Sequence, residues 1–269
     1  MLAPLVENLS PGSGFLVLGA AFIALFILRY AVFAGGALSL ISLFKAKILP
    51  RRLQPFGFSR AQLIREAGYS MLSMLIFGGV SIGAFMLNKS FGVYQIYHSI
   101  SDYGWIWFWL SIPLALLIHD FYFYWAHRLM HVPGIYERVH KVHHLSTNPS
   151  PLAAFAFHPL EALVEAFGFI LIMVVMPIHP LAFLAVSTVM IVYNVMGHLG
   201  YELLPRGLPA VPIVNLMNTA TSHNQHHRTF SYNYGLYTLF WDRLFGTLHP
   251  RYSETFDTAT RSKALATSP

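Results

Sequence analysis

Cysteine is missing from all 269 residues. Its absence removes disulfides, thiolate metal sites and cysteine nucleophiles together, although it does not identify a compartment. Charge is scarce too: Asp, Glu, Lys and Arg make up 10% of the chain, where a soluble domain carries about 25%. Carboxylates are nearly absent from the apolar runs, which counts against an ion or metal transporter, a protein that places ionisable groups along the middle of several spans. No His-Glu-x-x-His occurs, and no carboxylate stands between paired histidines as a base, which counts against a zinc-dependent membrane hydrolase. No internal repeat or low-complexity segment is evident. No basic region precedes the first apolar run, so residues 1–13 do not read as a cleaved signal peptide.

What remains is apolar. Hydrophobic residues are 55% of the chain and the mean hydropathy is +0.54, which reads as an all-α, polytopic helical membrane protein. The run from Gly14 to Phe44 is interrupted only by Arg29. As one helix it would measure ~46 Å, longer than the ~30 Å hydrocarbon core, so it must tilt, break near Gly35-Gly36 or run on into the interface, with Arg29 placed to snorkel. Further spans are expected at about 67–87, from Trp105 into the first histidines, and at 160–176 and 181–197, the last two forming a hairpin turned at Pro177-Ile-His-Pro180. That makes four to five membrane segments. The sequence divides into N-terminal membrane helices with a basic loop (1–104), a histidine-bearing region (105–250) and a C-terminal tail (251–269).

Basic residues set the orientation. Lys45, Lys47, Arg51, Arg52, Arg60 and Arg65 fall in one loop, whereas the loop 88–103 carries only Lys89. Under the positive-inside rule the 45–66 loop is cytoplasmic, and 15 of the 17 Lys and Arg residues end up on that side, the exceptions being Arg29 and Lys89. The formal charge of +6 therefore reports topology, and no nucleic-acid partner is expected.

The chemistry sits in histidines. His127 and His131 are spaced i, i+4 at the end of the third span. His140, His143 and His144 follow the Pro133-Gly134 break, His198 ends the last span, and His223, His226 and His227 repeat the His-x2-His-His spacing in the tail. Positions i, i+3 and i+4 share a helix face, so each cluster is expected to aim its imidazoles at a common point. Nine imidazoles from four segments are enough for two metal ions, each keeping a position open for a small molecule. Imidazole suits iron, zinc, copper and nickel alike. The topology places all nine at the cytoplasmic face.

In combination these stretches resemble the fatty acid hydroxylase / sterol desaturase superfamily of membrane diiron oxygenases. The matching segments are Asp120-Phe-Tyr-Phe-Tyr124-Trp-Ala-His127-Arg-Leu-Met-His131, His140-Lys-Val-His-His144, Phe157-His158-Pro-Leu-Glu161, Gly197-His198, His223-Asn-Gln-His-His227 and Gly235-Leu-Tyr-Thr-Leu-Phe-Trp241-Asp-Arg-Leu-Phe-Gly246-Thr. The likeness covers roughly residues 105–250, and the His140–Glu161 segment is most similar to the sterol-desaturase branch. The resemblance implies two iron ions that activate O2 and hydroxylate or desaturate a C–H position of a membrane lipid, sterol-like or fatty acyl. It also implies electrons from an external donor, a ferredoxin or a cytochrome b5-like protein. His131-Val-Pro-Gly134 is not the His-Pro-Gly-Gly of a cytochrome b5 module, and no second domain is read in the chain.

Other residues are marked for roles around the metals. Asp120, seven residues before His127 on the same face, is placed to orient a ligand histidine. Asn194 stands where some relatives have a histidine, as a weak ligand or with water in its place. His158 and Glu161 read as supporting or substrate-facing, and Asn224 and Gln225 as hydrogen-bonding partners of ligands or O2-derived groups. His119, inside the third span, is an ionisable group in an apolar setting and a further ligand candidate. His98, His179 and His249 read as structural. No C-terminal dilysine follows Lys263, and the expected location is a bacterial inner membrane, or the endoplasmic reticulum in a eukaryote.

Overall fold

The computed structural model describes residues 11–207, 211 and 214–261. The expectations for residues 1–10 and for the chain end beyond Arg261 lie outside these. The first long apolar run is continuous but not uniform. Helix α1 (Pro11–Tyr30) passes through a π-helical stretch at Ala31–Gly35 into α2 (Gly36–Leu43). The expected break at Gly35-Gly36 is thus a change of register in a helix that goes on, since Gly36 keeps right-handed helical angles. Arg29 does not snorkel to the interface. Its guanidinium donates to Ser187 Oγ and Thr188 Oγ1, both at 3.0 Å, and so ties the end of α1 to the middle of the helix Pro180–Gly197.

Helix α3 (Arg60–Phe91) starts at Ser59, whose hydroxyl accepts from Gln62 N, and stops at Gly92, whose φ of +60° is the left-handed cap that glycine adopts without strain. It lies against α1 at two close approaches. A Cβ on Gly78 would meet Ile23 at 2.3 Å, and one on Gly19 would meet Ile82 at 2.6 Å. Small residues at a crossing let apolar helices approach when no water remains to be expelled.

Helix α4 (Gly104–Met130) carries the first two histidines to its end. Two short helices, α5 (Tyr136–Val139) and α6 (Lys141–His144), follow a turn through Gly134. Then come the hairpin of α7 (Pro159–Val175) and α8 (Pro180–Gly197), helix α9 (Ala220–Thr229), and the short α10 (Phe240–Leu244) and α11 (Tyr252–Thr260). Among the described residues, four helical stretches are long and apolar enough to cross a membrane: Gly14–Leu43, Arg60–Phe91, Gly104–Met130 and Pro180–Gly197. Helix α7, at 17 residues, is a shorter fifth segment. The protein is an integral, multi-pass, all-α membrane protein.

The two ends of the bundle differ. At one end the loop after α3 pairs with the hairpin turn: Gln95 N donates to Met173 O and Ile178 N to Gln95 O. At the other, the basic segment after α2 meets the chain leaving α8, with Leu53 N on Gly200 O and Arg51 Nη1 on the carbonyls of Leu203 and Leu204. The basic loop and the histidines therefore share one end. A core of Tyr30, Met74, Phe155, Phe157, Ile191 and Tyr201 lies beneath the histidine end, and a second core of Phe108, Ile172, Ile178 and Val186 fills the opposite end.

Candidate metal centre

Helix geometry explains how nine histidines reach one place. Residues i and i+4 on a helix are 40° apart, whereas i+3 lies 60° to the other side. Accordingly the i, i+4 pairs His127/His131, His140/His144 and His223/His227 stay together, and the i+3 member of each triplet turns to a different partner set. The result is two groups: His127, His131, His140, His144 and His226, and His143, His198, His223 and His227. Within each group the ligand nitrogens lie within 4.8 Å of one another. The expectation that each sequence cluster converges on one point is corrected. His143 leaves its neighbours for the four-histidine group, and His226 leaves its own for the five-histidine group. The groups adjoin, with His144 and His227 rings 4.7 Å apart and His140 and His143 rings 5.3 Å apart.

The inward atom is Nε2. In the larger group His144 Nε2 lies 3.0 Å from His140 Nε2, 3.1 Å from His226 Nε2 and 3.2 Å from His131 Nε2, and His127 and His140 meet at 3.1 Å. In the smaller group His198 Nε2 is 3.1 Å from His223 and 3.3 Å from His143, and His227 is 3.1 Å from His223. Such a ring of nitrogens cannot be satisfied by protons, because one Nε2 cannot share a hydrogen bond with three others at once. A cation resolves it. Metal–imidazole bonds of ~2.1 Å put adjacent ligand nitrogens roughly 3.0–3.4 Å apart in octahedral or tetrahedral geometry. The donor set, neutral nitrogen without sulfur, fits an iron pair.

The outward nitrogen fixes several rings. His127 Nδ1–H donates to Tyr234 O at 2.9 Å, His226 Nδ1–H to Tyr232 O at 2.6 Å and His140 Nδ1–H to Glu161 Oε1 at 2.7 Å. In the smaller group His198 Nδ1–H donates to Asn194 O at 2.6 Å. Each bond selects the tautomer with a free lone pair on Nε2. Among the described residues, Nδ1 of His143, His144 and His227 has no protein partner. Burial holds these rings neutral. The imidazoles of His140, His143, His144, His223, His226 and His227 sit well below their ordinary range, first because they are buried and then because neighbouring histidines would repel a second charge. Burial brings His198 down to about 4.

The supporting residues fall differently from expectation. Asp120 touches no histidine: Oδ1 accepts from Tyr237 N (2.9 Å) and Oδ2 from Thr238 Oγ1 (2.6 Å). It pins the loop whose Tyr234 carbonyl holds His127. Glu161, fully buried, is the carboxylate that does orient a ring, that of His140. Asn194 directs its amide to Ala154 O at 2.6 Å, and only its backbone carbonyl reaches the site. His158 caps α7 through Leu160 N, and Gln225 binds Arg251 O and Thr255. Asn224 is buried beside the ligands with Nδ2 unpartnered. His119 lies two turns from His127, with Nδ1 3.0 Å from Tyr237 Oη and its ring against Phe169.

Several contributors were not marked in the sequence. The carbonyls of Tyr232 and Tyr234 leave no trace in residue identity. Asp242 holds them in place: its carboxylate accepts from Tyr234 N, Gly235 N and Thr247 Oγ1 at 2.7–2.9 Å. Its burial lifts it to about 6. A cavity of about 10 Å³ between α8 and this loop is lined by Tyr193, Asn194, Asn218, Thr219, Leu236 and His223, so a small group can reach the four-histidine side.

The sequence model of the fatty acid hydroxylases matches residues 112–247, which include all nine histidines. The chain belongs to the fatty acid hydroxylase family. A lathosterol oxidase of Mus musculus is 31% identical over 196 residues, covering 72% of this chain and 64% of that protein. A Delta(7)-sterol 5(6)-desaturase of Schizosaccharomyces pombe is 36% identical over 158 residues, 59% of this chain and 50% of its own. A second Delta(7)-sterol 5(6)-desaturase, from Aspergillus fumigatus, is 29% identical over 242 residues, 89% of this chain and 70% of its own. The chain thus matches about half to two thirds of the length of most such relatives. No solved structure matches it. Within the family, this chain's likeness is to the sterol desaturase branch.

Proposed function

We propose that the protein is an O2-dependent membrane oxidoreductase that hydroxylates or desaturates a C–H position of a sterol-like or related lipid. The observation that carries the reading is the convergence of nine histidines, eight of them buried, into two adjoining groups. His127, His131, His140, His144 and His226 would hold one iron, and His143, His198, His223 and His227 the other. When bound, the iron pair supplies the oxidant for an unactivated C–H bond, which side chains alone cannot provide. Overall, O2, two electrons, two protons and R–H give R–OH and water, or, for desaturation, an alkene and two waters.

The chain's own residues prepare that chemistry. Glu161, Tyr232 and Tyr234 orient ligand rings, and burial keeps the rings unprotonated so that lone pairs face inward. Residues 105–250 form the catalytic region, with Asp120 and Asp242 holding its loop from below. The lipid enters from the bilayer, and the cavity of about 10 Å³ beside His223, lined by Asn194, Asn218 and Thr219 among mostly apolar surface, has room for about one water-sized group. Charge distribution favours the cytoplasmic side of a bacterial inner membrane, or the endoplasmic reticulum membrane in a eukaryote, for the histidine end. A separate ferredoxin or b5-like protein supplies electrons.

The test is metal content with O2-dependent turnover. Protein in nanodiscs should carry two irons per chain and, given reductant and a total lipid extract, shift one lipid by +16 or −2 mass units. Stoichiometric zinc from iron-replete cells, with no O2 uptake on any lipid, would instead indicate a hydrolase or a metal-binding protein.

A further inference from the structure

Of the nine clustered histidines, His131 alone is only partly buried. Its ring stacks on Tyr136, with centroids 5.6 Å apart and planes 28° apart. Tyr136 is half-buried and packs on Phe230 at 6.1 Å, and Phe230 in turn lies 4.7 Å from His144. These two aromatic rings are the cover over the five-histidine group. Phe230 holds its place at a backbone φ of +61°, a conformation that a bulky residue adopts only where packing demands it.

Around this cover the charge is one-sided. Arg138, Lys141 and Arg228 are exposed and Arg128 is half-buried, against a single carboxylate, Glu137. Four basic groups and one acidic group leave a net charge of +3. The patch continues into the basic loop, because Arg65 donates to Leu145 O. Val132 and Pro133 lie exposed in the turn between the helices.

We propose that this patch docks a small acidic one-electron carrier protein, with Tyr136 and His131 as the entry to the metal pair. The inference rests on the oxygenase reading above. Complementary charge steers such a carrier and fixes its orientation. Tunnelling falls steeply with distance, and His131 is the one clustered histidine with surface of its own for a carrier to approach. Two reduced carriers each lose one electron, and two metal ions each pass from +3 to +2. No bond on the protein forms or breaks. A basic patch at a membrane border also suits anionic lipid headgroups. A partly exposed ligand histidine at its centre favours the carrier.

The experiment is anaerobic stopped-flow reduction of iron-loaded protein in nanodiscs. Dithionite is compared with two acidic probes, a reduced [2Fe–2S] ferredoxin and the soluble domain of cytochrome b5. In the Arg138→Glu/Lys141→Glu variant, reduction by whichever probe serves the wild type should slow about tenfold or more and lose its steep salt dependence. Tyr136→Leu should slow reduction even at saturating carrier. Dithionite should reduce the wild type and the charge-reversed variant alike. Carrier rates unmoved by charge reversal and salt would overturn the proposal, as would a wild type reduced by dithionite but by neither probe. Loss of co-purifying anionic lipid, with carrier rates unchanged, would make the patch a lipid site and overturn it too. A protein holding no redox-active metal, and so inert to dithionite as well, would sink the oxygenase reading itself.

Discussion

The two histidine groups are built from the same residue type and are held in different ways. In the five-histidine group three rings are gripped from behind, by Glu161 and by the carbonyls of Tyr232 and Tyr234. In the four-histidine group only His198 is gripped so, on Asn194 O, and among the described residues Nδ1 of His143 and of His227 has no partner, as is true of His144 alone in the larger group. One group is therefore preorganised by the protein, and the other depends more on the metal to hold its rings. A preorganised site loses less freedom on binding and keeps its ion longer. The looser group also borders the cavity beside His223.

The strongest way to break this comparison is to remove a ligand from each side. His226→Ala and His143→Ala should each leave about one metal ion per chain and reduce turnover to background, as read by metal analysis and lipid mass spectrometry. If both variants lose both ions, the groups are one cooperative unit and the contrast is false. Next in size is the order of release. Titration with a chelator should empty the four-histidine group first, followed by spectroscopy of a cobalt-substituted protein. Glu161→Ala should then weaken the five-histidine group selectively, by about 10- to 100-fold in metal affinity, and bring the two release steps together.

Acid should act more gradually. His198 lies at about 4 in the fold, against an ordinary value of 6.5. Between these values the unfolded chain binds the extra proton. The contribution of His198 to the stability of the metal-free protein should therefore fall as pH drops through about 6.5 and be lost in full below about 4, while the more strongly shifted histidines extend the decline. Thermal unfolding at pH 7.5, 6 and 5 checks the sign. The smallest effect concerns the scaffold: Arg29→Met removes the bonds to Ser187 and Thr188 and should cost about 1 kcal/mol without changing metal content.

The membrane helices and the ligand-rich segments were legible in the sequence because apolar length and histidine spacing are written in residue identity. The runs expected at 160–176 and 181–197 correspond to α7 and α8 within a residue. How the triplets divide was not legible. His140, His143 and His144 look like one unit on paper, and only the position of a second helix decides that His143 faces elsewhere. Glu161 and Asp120 show the same limit. Both are carboxylates near histidines in sequence, and only the folded chain shows that the farther one, 21 residues from His140, is the one that reaches a ring. Backbone acceptors such as Tyr234 O are invisible by nature, since any residue supplies a carbonyl. Arg29 misled for a related reason: snorkelling assumes that no polar partner lies at the same depth, and α8 brings two hydroxyls there.

Helix α7 has one more consequence. Its 17 residues rise about 26 Å, several ångströms short of a typical hydrocarbon thickness, and its far end is tied through Gln95 to the turn before α8. A bilayer that matched a helix of this length would be locally thinner, at a cost of a fraction of a kcal/mol per ångström. Hydrophobic mismatch of this kind sorts proteins toward thinner membranes, so bilayer thickness, set by acyl-chain length and sterol content, bears on how this end of the bundle packs.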